Sequence, residues 1–432
     1  MNLKIPAFGF IVLIFASTFN ELVIRPSEPH HGPSSPVGQI SPYEGTYYYV
    51  SKNGDDRNPG TASSPFLTIQ QAANIVNPGD NVIVGDGIFG TTGDQVVWLS
   101  RSGSAGKHIT FRSEHKWGAV LDGNGVSHYG FILAGGASYI RFVGFEVKNF
   151  LNWGFFCNDP SGQSNYITVQ GCKIHDIGRI NDTGNVGRGG IYFRMKNHHW
   201  TITQNLFYNC GRIGPDHQRM IYDHAVYIGR ADIPANVSHD NTIVYNIMYG
   251  CSGNSLDIGS SYDLIANNVM GWPLLNNAGG ISFIATGGAG GAYLTIANNI
   301  FYQPGPTAPS AISIYTDPSF VATWSVKHNI VYGGRMWGDV SANYYPSAMK
   351  GSNYGQHDCE NGEINPLFVS TMKVEAPDVD FSLQATSPAI NAGVPLGLNS
   401  DFLGNPIIGL PDIGAYEYMP QDPTQTTNQV KY

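Results

Sequence analysis

Half of the chain's arginines, Arg179, Arg188, Arg194, Arg212, Arg219 and Arg230, fall between Arg179 and Arg230, and His175, His198, His199, His217, His224 and His239 share or flank that stretch. The formal net charge is -9, so this local excess of positive charge runs against the balance of the whole. An arginine fork matches a planar carboxylate, so the enrichment suits a carboxylate- or sulfate-bearing ligand. The plain alternative is a set of solvated loop charges paired with Asp182, Asp216 and Asp223. The negative total gives no sign of nucleic-acid binding.

Within this stretch YDHAVYIG, Tyr222 to Gly229, places a histidine at the start of a strand. An unperturbed imidazole titrates near about 6.5, which suits His224 to a general-base role. Tyr227 or Tyr192 could supply the matching acid, Arg194 or Arg219 could neutralise a carboxylate, and Asp257 could hold the imidazole or a calcium ion. Arg179, Arg188, Arg219, Asn254 and Asp223 would line the ligand. Hydrolysis is the rival chemistry and needs two carboxyl groups, for which Asp223 and Asp257 are the obvious pair and Asp216 a loop candidate. Each residue also has an ordinary reading: His224 bonded to a turn, Asp223 capping one, Asp257 part of a hydrogen-bonded ladder.

The elements that must position these side chains repeat. ITVQGCKIHDI, WTITQNLFYNC, NTIVYNIMYGC, DLIANNVMGW, LTIANNIFYQ and WSVKHNIVYGG align on Gly171, Asn205, Asn246, Asn268, Asn299 and Asn329, with YIRFVGFEVKNF adding Gly144. The interval runs from 22 residues (Asn246 to Asn268) to 41 (Asn205 to Asn246), as in coils carrying loops of different length. Stacked asparagines can hydrogen-bond along an axis, so these five read as structural. The next column, Phe145, Cys172, Leu206, Ile247, Val269, Ile300 and Ile330, is apolar and is expected to point inward.

A second strand per coil aligns as NWGFFCN, RGGIYFR, DHAVYIG, GNSLDIG, GGISFIA and PSAISIY. Alternation makes Phe155, Ile191, Val226, Leu256, Ile281 and Ile312 one inward column and Cys157, Phe193, Ile228, Ile258, Phe283 and Ile314 another. Phe156, Tyr192, Tyr227, Asp257, Ser282 and Ser313 lie between them and face out. A groove would then be lined by Tyr192 and Arg194, His224 and Tyr227, and Asn254 and Asp257 from three adjacent coils. The insertions Arg179 to Arg188 and Gly211 to Asp223 would form its walls. This is an all-β parallel β-helix. SPFLTIQQAANIV, Ser64 to Val76, has helical spacing and is expected to cap its first coil. SPAINAG and DIGAYEY read as closing segments.

YYYVSKNGDDRNPGTASSPFLTIQQAANIVNPGDNVIVGDGIF and SPAINAGVPLGLNSDFLGNPIIGLPDIGAYEY resemble the opening and terminus of secreted proteins of the pectin-lyase-like superfamily, including family 9 polysaccharide lyases. The resemblance spans nearly all of Tyr47 to Tyr418. It implies a single-stranded right-handed parallel β-helix with a polysaccharide cleft along an outer sheet, often with calcium, and a basic residue that removes a proton beside a uronate carboxyl group. Family 9 lyases use a lysine base and an aspartate cluster. Here no lysine occurs from Asn197 to Val326, and Asn254 and Ser255 stand where paired aspartates would precede Asp257. Cleavage of an acidic polysaccharide by β-elimination is the expected reaction, with a β-helix glycoside hydrolase and a non-catalytic glycan binder as alternatives. Trp153, Trp200 and Trp272 are candidates for stacking on sugars, or for plain packing.

The ends read differently. Residues 1–20, with Lys4 ahead of an apolar run, are laid out as a signal peptide, and 21–46 as a Pro/Ser-rich linker. The β-helix domain occupies 47–418 and a polar tail 419–432. Export to the medium, periplasm or cell surface, without stable membrane insertion after signal removal, and a monomeric state are expected. Five cysteines are too few for a disulfide scaffold, though Cys210 and Cys251 fall in one column of adjacent coils, as a bridge or as two buried thiols.

Overall fold

The computed structural model describes residues 45–157, 163–180, 187–213, 222–229, 234–271, 281–283, 290–302, 310–314, 318–337, 352–356, 359, 361–370 and 379–420. The signal and linker assignments, most of the polar tail, and most of both insertions lie outside them. The described chain winds as a right-handed parallel β-helix whose strands pair in register with the same strand of the next coil.

Each central coil has three strands where the sequence pattern suggests two. Thr201–Thr203 lies on the first face, Leu206–Tyr208 on the second and His224–Ile228 on the third. The corner between the first two faces explains the difference. Gly144, Gly171, Gln204, Tyr245, Asn267, Asn298 and His328 adopt φ between 53° and 74° there. A left-handed residue turns the chain sharply and shifts the phase of the alternation. Phe145 and Cys172 therefore occupy the asparagine column, one position from where sequence alignment puts them.

The same shift reverses the next column. Leu206, Ile247, Val269, Ile300 and Ile330 stand in register with Glu146 and Lys173 and face outward. Ile174, Phe207, Met248, Met270, Phe301 and Val331 fill the interior instead. From Ile247 onward the outward column is still buried, because the C-terminal segment lies over it with Phe368, Phe381, Phe402, Ile413 and Ala415. Left-handed corner residues hold this cover: Asn267 Nδ2 donates to Asp412 O at 2.9 Å, Asn298 Nδ2 to Val394 O at 2.9 Å, and Gln204 Nε2 to Asp401 O at 2.5 Å. The closing segments thus roof a side of the helix.

The asparagine ladder is present and longer than expected. Asn205 donates through both its backbone N and its Nδ2 to Asn246 Oδ1, and the pattern repeats through Asn268, Asn299 and Asn329 to Asn353, all at 2.9–3.1 Å. Each bond satisfies a buried polar group that would otherwise cost about 1–3 kcal/mol. The capping helix is shorter than its sequence signal, Ile69–Ile75, with Thr68 as N-cap accepting from Gln71 N at 3.2 Å. Cys210 and Cys251 are free, buried thiols. Among the described residues no helix is long and apolar enough to cross a membrane.

Candidate functional site

On the third face, Trp153–Cys157, Gly189–Phe193, His224–Ile228 and Leu256–Ile258 stack in that order. Where their side chains are described, the two inward columns are as the alternation predicts, and Ala225 joins Val226 in the core. Two consecutive inward residues break the alternation, so His224 and Tyr227 share the outer face although three positions apart. Gly189 makes this possible for the neighbouring coil: a Cβ there would meet His224 O at 1.7 Å and the Trp153 ring at 2.9 Å.

The outward column continues past the residues singled out from sequence. Trp98, Ile132, Phe156, Tyr192, Tyr227, Asp257 and Ser282 follow one another in register. Phe156 and Tyr192 stack with ring centroids 5.2 Å apart, and Tyr192 and Tyr227 at 5.2 Å and 1°. At about 4.8 Å per coil, four steps from Trp98 to Tyr227 span about 19 Å, the length of several sugar rings. Trp98 is 47% exposed. Sequence inspection missed it because QVVWL was left out of the coil alignment, where its register would have placed it. Of the tryptophans singled out, Trp153 is buried beside Tyr192, Trp200 packs on Phe193 and donates to Ser164 O at 2.8 Å, and Trp272 lies outside the described residues.

His224, Tyr227 and Asp257 do converge, but not in an open groove. His224 is 0% exposed and Asp257 2%. The His224 ring stacks on Tyr227 at 5.5 Å, and its Nε2 lies 3.2 Å from Asp257 Oδ2. That contact has the distance of an ion pair without the angles of a hydrogen bond, and among the described residues both ring nitrogens and Asp257 Oδ2 have no hydrogen-bond partner. Enclosure overturns His224 as a base in direct contact with a ligand. Among the described side chains, Tyr192 and Tyr227, each half-buried, are the polar ones that the column presents outward. Burial pushes the Tyr192 phenol above its ordinary value, with the Arg194 charge pulling the other way.

The charges around the site divide. Asp223 is fully buried and accepts from Arg212 Nε at 2.9 Å, Arg212 Nη2 at 2.8 Å and the backbone N of Arg188 at 3.0 Å. It is a structural counter-ion, so it offers neither a ligand contact nor half of a hydrolytic pair. Arg188 is buried too, donating to Leu151 O and Asn152 Oδ1. Arg179 reaches Gly211 O at 3.4 Å, and burial lowers its affinity for its proton against the pull of Asp176. Asn254 is buried, Arg194 is half-buried near Tyr192, and Arg219 lies outside the described residues. Calcium takes six to eight oxygens. Asp257 faces an imidazole and has no companion carboxylate among the described residues at this face, so the donor set does not fit that ion.

Comparison with known proteins agrees with the fold. Residues 48–213 match the family model of the Pel9A-like, right-handed β-helix region. The structure is similar to that of pectate lyase Pel9A, with a TM-score of 0.56, 16% identity, and 86% of this chain and 96% of that one covered. An alginate lyase from Paenibacillus sp. str. FPU-7 superposes with a TM-score of 0.46 at 19% identity, over 62% of this chain and 94% of that one. The uncharacterized protein YwoF of Bacillus subtilis (strain 168) is 37% identical over 84 residues, 19% of this chain and 17% of that relative. A shared fold does not fix a reaction, so the chemistry must be argued from the residues.

Proposed function

We propose that the protein is a polysaccharide lyase that cleaves a uronate-containing glycan by β-elimination on its third face. One observation carries the reading: the Tyr192–Tyr227 stack, with Arg194 beside it, ends an aromatic column next to the buried His224–Asp257 pair, whose facing atoms have no hydrogen-bond partner among the described residues. Leaving buried polar atoms unpaired costs about 1–3 kcal/mol each, and such cost concentrates at functional sites. The column would bind sugar rings by their apolar faces, and Arg194 would pair with the uronate carboxylate.

Elimination takes a proton from the carbon beside that carboxylate, forms a double bond in the ring and releases the glycosidic oxygen, which gains a proton. Tyr192, kept protonated by burial, suits the donor role. Tyr227, as the phenolate left after its own hydroxyl proton has passed to solvent, is then the residue that takes the carbon-bound proton, with His224 and Asp257 as positioning residues beside it. The loss of Asp223 to Arg212 argues against a two-carboxylate hydrolase.

Incubation with pectate, alginate, glycosaminoglycans and ulvan, with and without a chelator, tests this. Ultraviolet absorbance from unsaturated uronates supports the lyase, and loss of that signal in Tyr227→Phe ties it to this face. Reducing ends without the absorbance would make it a hydrolase, and binding without products a glycan-binding protein.

A further inference from the structure

A second group of side chains lies at a different corner, where each coil leaves the third face and enters the first. Tyr139, Tyr166, His199, Asp240, Tyr262 and Tyr293 all adopt the left-handed conformation there, with φ of 56–60°. This is a corner built for aromatic stacking: Tyr139 and Tyr166 stack at 4.5 Å and 8°, and Tyr262 and Tyr293 at 4.8 Å and 13°. In the two middle coils the tyrosine is replaced by His199 and Asp240. In the column just before them, His198 and His239 pair in parallel and stack at 4.8 Å and 11°.

The result is a compact set of donors at the surface. His239 Nδ1 lies 2.6 Å from Asp240 Oδ2, and His198 Nδ1 lies 2.8 Å from His199 Nδ1. One ligand atom from each of His199, His239 and Asp240 falls within 4.8 Å of the other two. Two imidazoles and one carboxylate converging from adjacent coils are a donor set for zinc, which bonds histidine nitrogen at about 2.0–2.1 Å and carboxylate oxygen at about 2.0–2.2 Å. Calcium and magnesium prefer all-oxygen sets. We propose that His199, His239 and Asp240 bind one zinc ion that clamps two adjacent coils at this corner. His198 then acts on the ring of His199, fixing its orientation through the other nitrogen, as partners of metal-bound histidines do. This site is independent of the third-face reading and of any activity there.

The test uses the full chain without a polyhistidine tag, titrated with zinc by calorimetry and with cobalt by visible absorption. The unaltered protein should take up zinc with a rise in Tm, and cobalt should develop the spectrum of a nitrogen- and oxygen-ligated ion. His199→Ala, His239→Ala and Asp240→Asn should each lose one equivalent of zinc and the Tm response. His128→Ala should lose neither, because its pairing with Asp94 at 2.6 Å has no third donor among the described residues. No uptake by the unaltered chain overturns the proposal, and so does uptake undiminished in the variants. Should His239→Ala fail to fold, His199→Ala, whose ring lies at the surface, decides alone.

Discussion

Two outward columns of this helix are built alike and end differently. On the second face Tyr208 stacks on Tyr249 at 5.7 Å and Tyr302 on Tyr332 at 5.3 Å, and the C-terminal segment lays Phe368 and Phe381 over them. Tyr208, Tyr249 and Tyr302 are consequently 4–7% exposed. On the third face Phe156, Tyr192 and Tyr227 stack as closely, yet each stays half-buried, and Trp98 at the head of the column is open. An aromatic column on a β-helix is therefore core or surface according to what lies above it. The left-handed hooks Asn267, Asn298 and Gln204 anchor the cover on the second face.

If the third face is a working surface and the second a core, substitutions in the two columns must fail in different ways. Tyr227→Phe removes one hydroxyl and should lower kcat by about 10²- to 10⁴-fold, the range for loss of an acid–base group, with Tm nearly unchanged. Wild-type turnover in this variant would reduce the third face to a second packed column. Phe381→Ala, 1% exposed in the covered cluster, should instead cost about 3–5 kcal/mol in denaturant melts, while the folded fraction keeps its activity. A loss of activity without loss of stability there would mean that the cover does more than roof the helix.

The sequence carried one of these faces better than the other, and the reason is local. On the third face the period of two was read from Phe155, Phe156 and Cys157 and their counterparts, and the outward column came out in register. On the second face the count ran through a left-handed residue, which no composition signal marks when it is Gln204, Tyr245 or His328. Leu206, Ile247, Val269, Ile300 and Ile330 therefore fall on the opposite side from the one their alignment predicts, while Phe145 and Cys172 are inward as expected. The asparagine ladder survived because identical residues announce a column regardless of phase, although Asn353 was missed beyond the last aligned coil. Burial was harder still. Nothing in YDHAVYIG distinguishes a histidine in a groove from one enclosed against Tyr227, and although the plain reading of the arginine cluster names Asp223 as a partner, nothing in it shows that Arg212 and Asp223 pair buried and not solvated.

The uncovered start of the second face sharpens the comparison further. Beyond His175, which stacks on Tyr208 at 4.4 Å, the column turns from aromatic to charged. Glu146 meets Lys173 at 2.6 Å, Lys148 at 3.1 Å and His175 at 3.1 Å. Burial works to raise its pKa, but hydrogen bonds from His175, Lys173 and Lys148 outweigh it and hold the carboxyl at about 2, below its ordinary 4.5. A folded value below the unfolded one gives stability that is present above about pH 4.5 and lost as pH falls toward 2. Glu146→Gln should therefore lower stability by about 1–2 kcal/mol at pH 7 and flatten the acid limb of a Tm-against-pH curve. An unaltered acid limb would assign that loss to other carboxylates.

The smallest effect is expected at the open end of the third-face column. Trp98 is half-exposed, and Gln70 of the capping helix holds its backbone, accepting from Trp98 N at 2.7 Å through Oε1 and donating to Trp98 O at 3.0 Å through Nε2. Trp98→Ala should leave Tm almost unchanged and raise KM for long substrates by about fivefold, close to 1 kcal/mol of lost stacking, with kcat intact. Short oligosaccharides that reach only Tyr192 and Tyr227 should show no difference between the two proteins. An equal KM change on short and long substrates would mean that Trp98 acts through the fold of the first coils, and the glycan would then occupy fewer coils than the column spans.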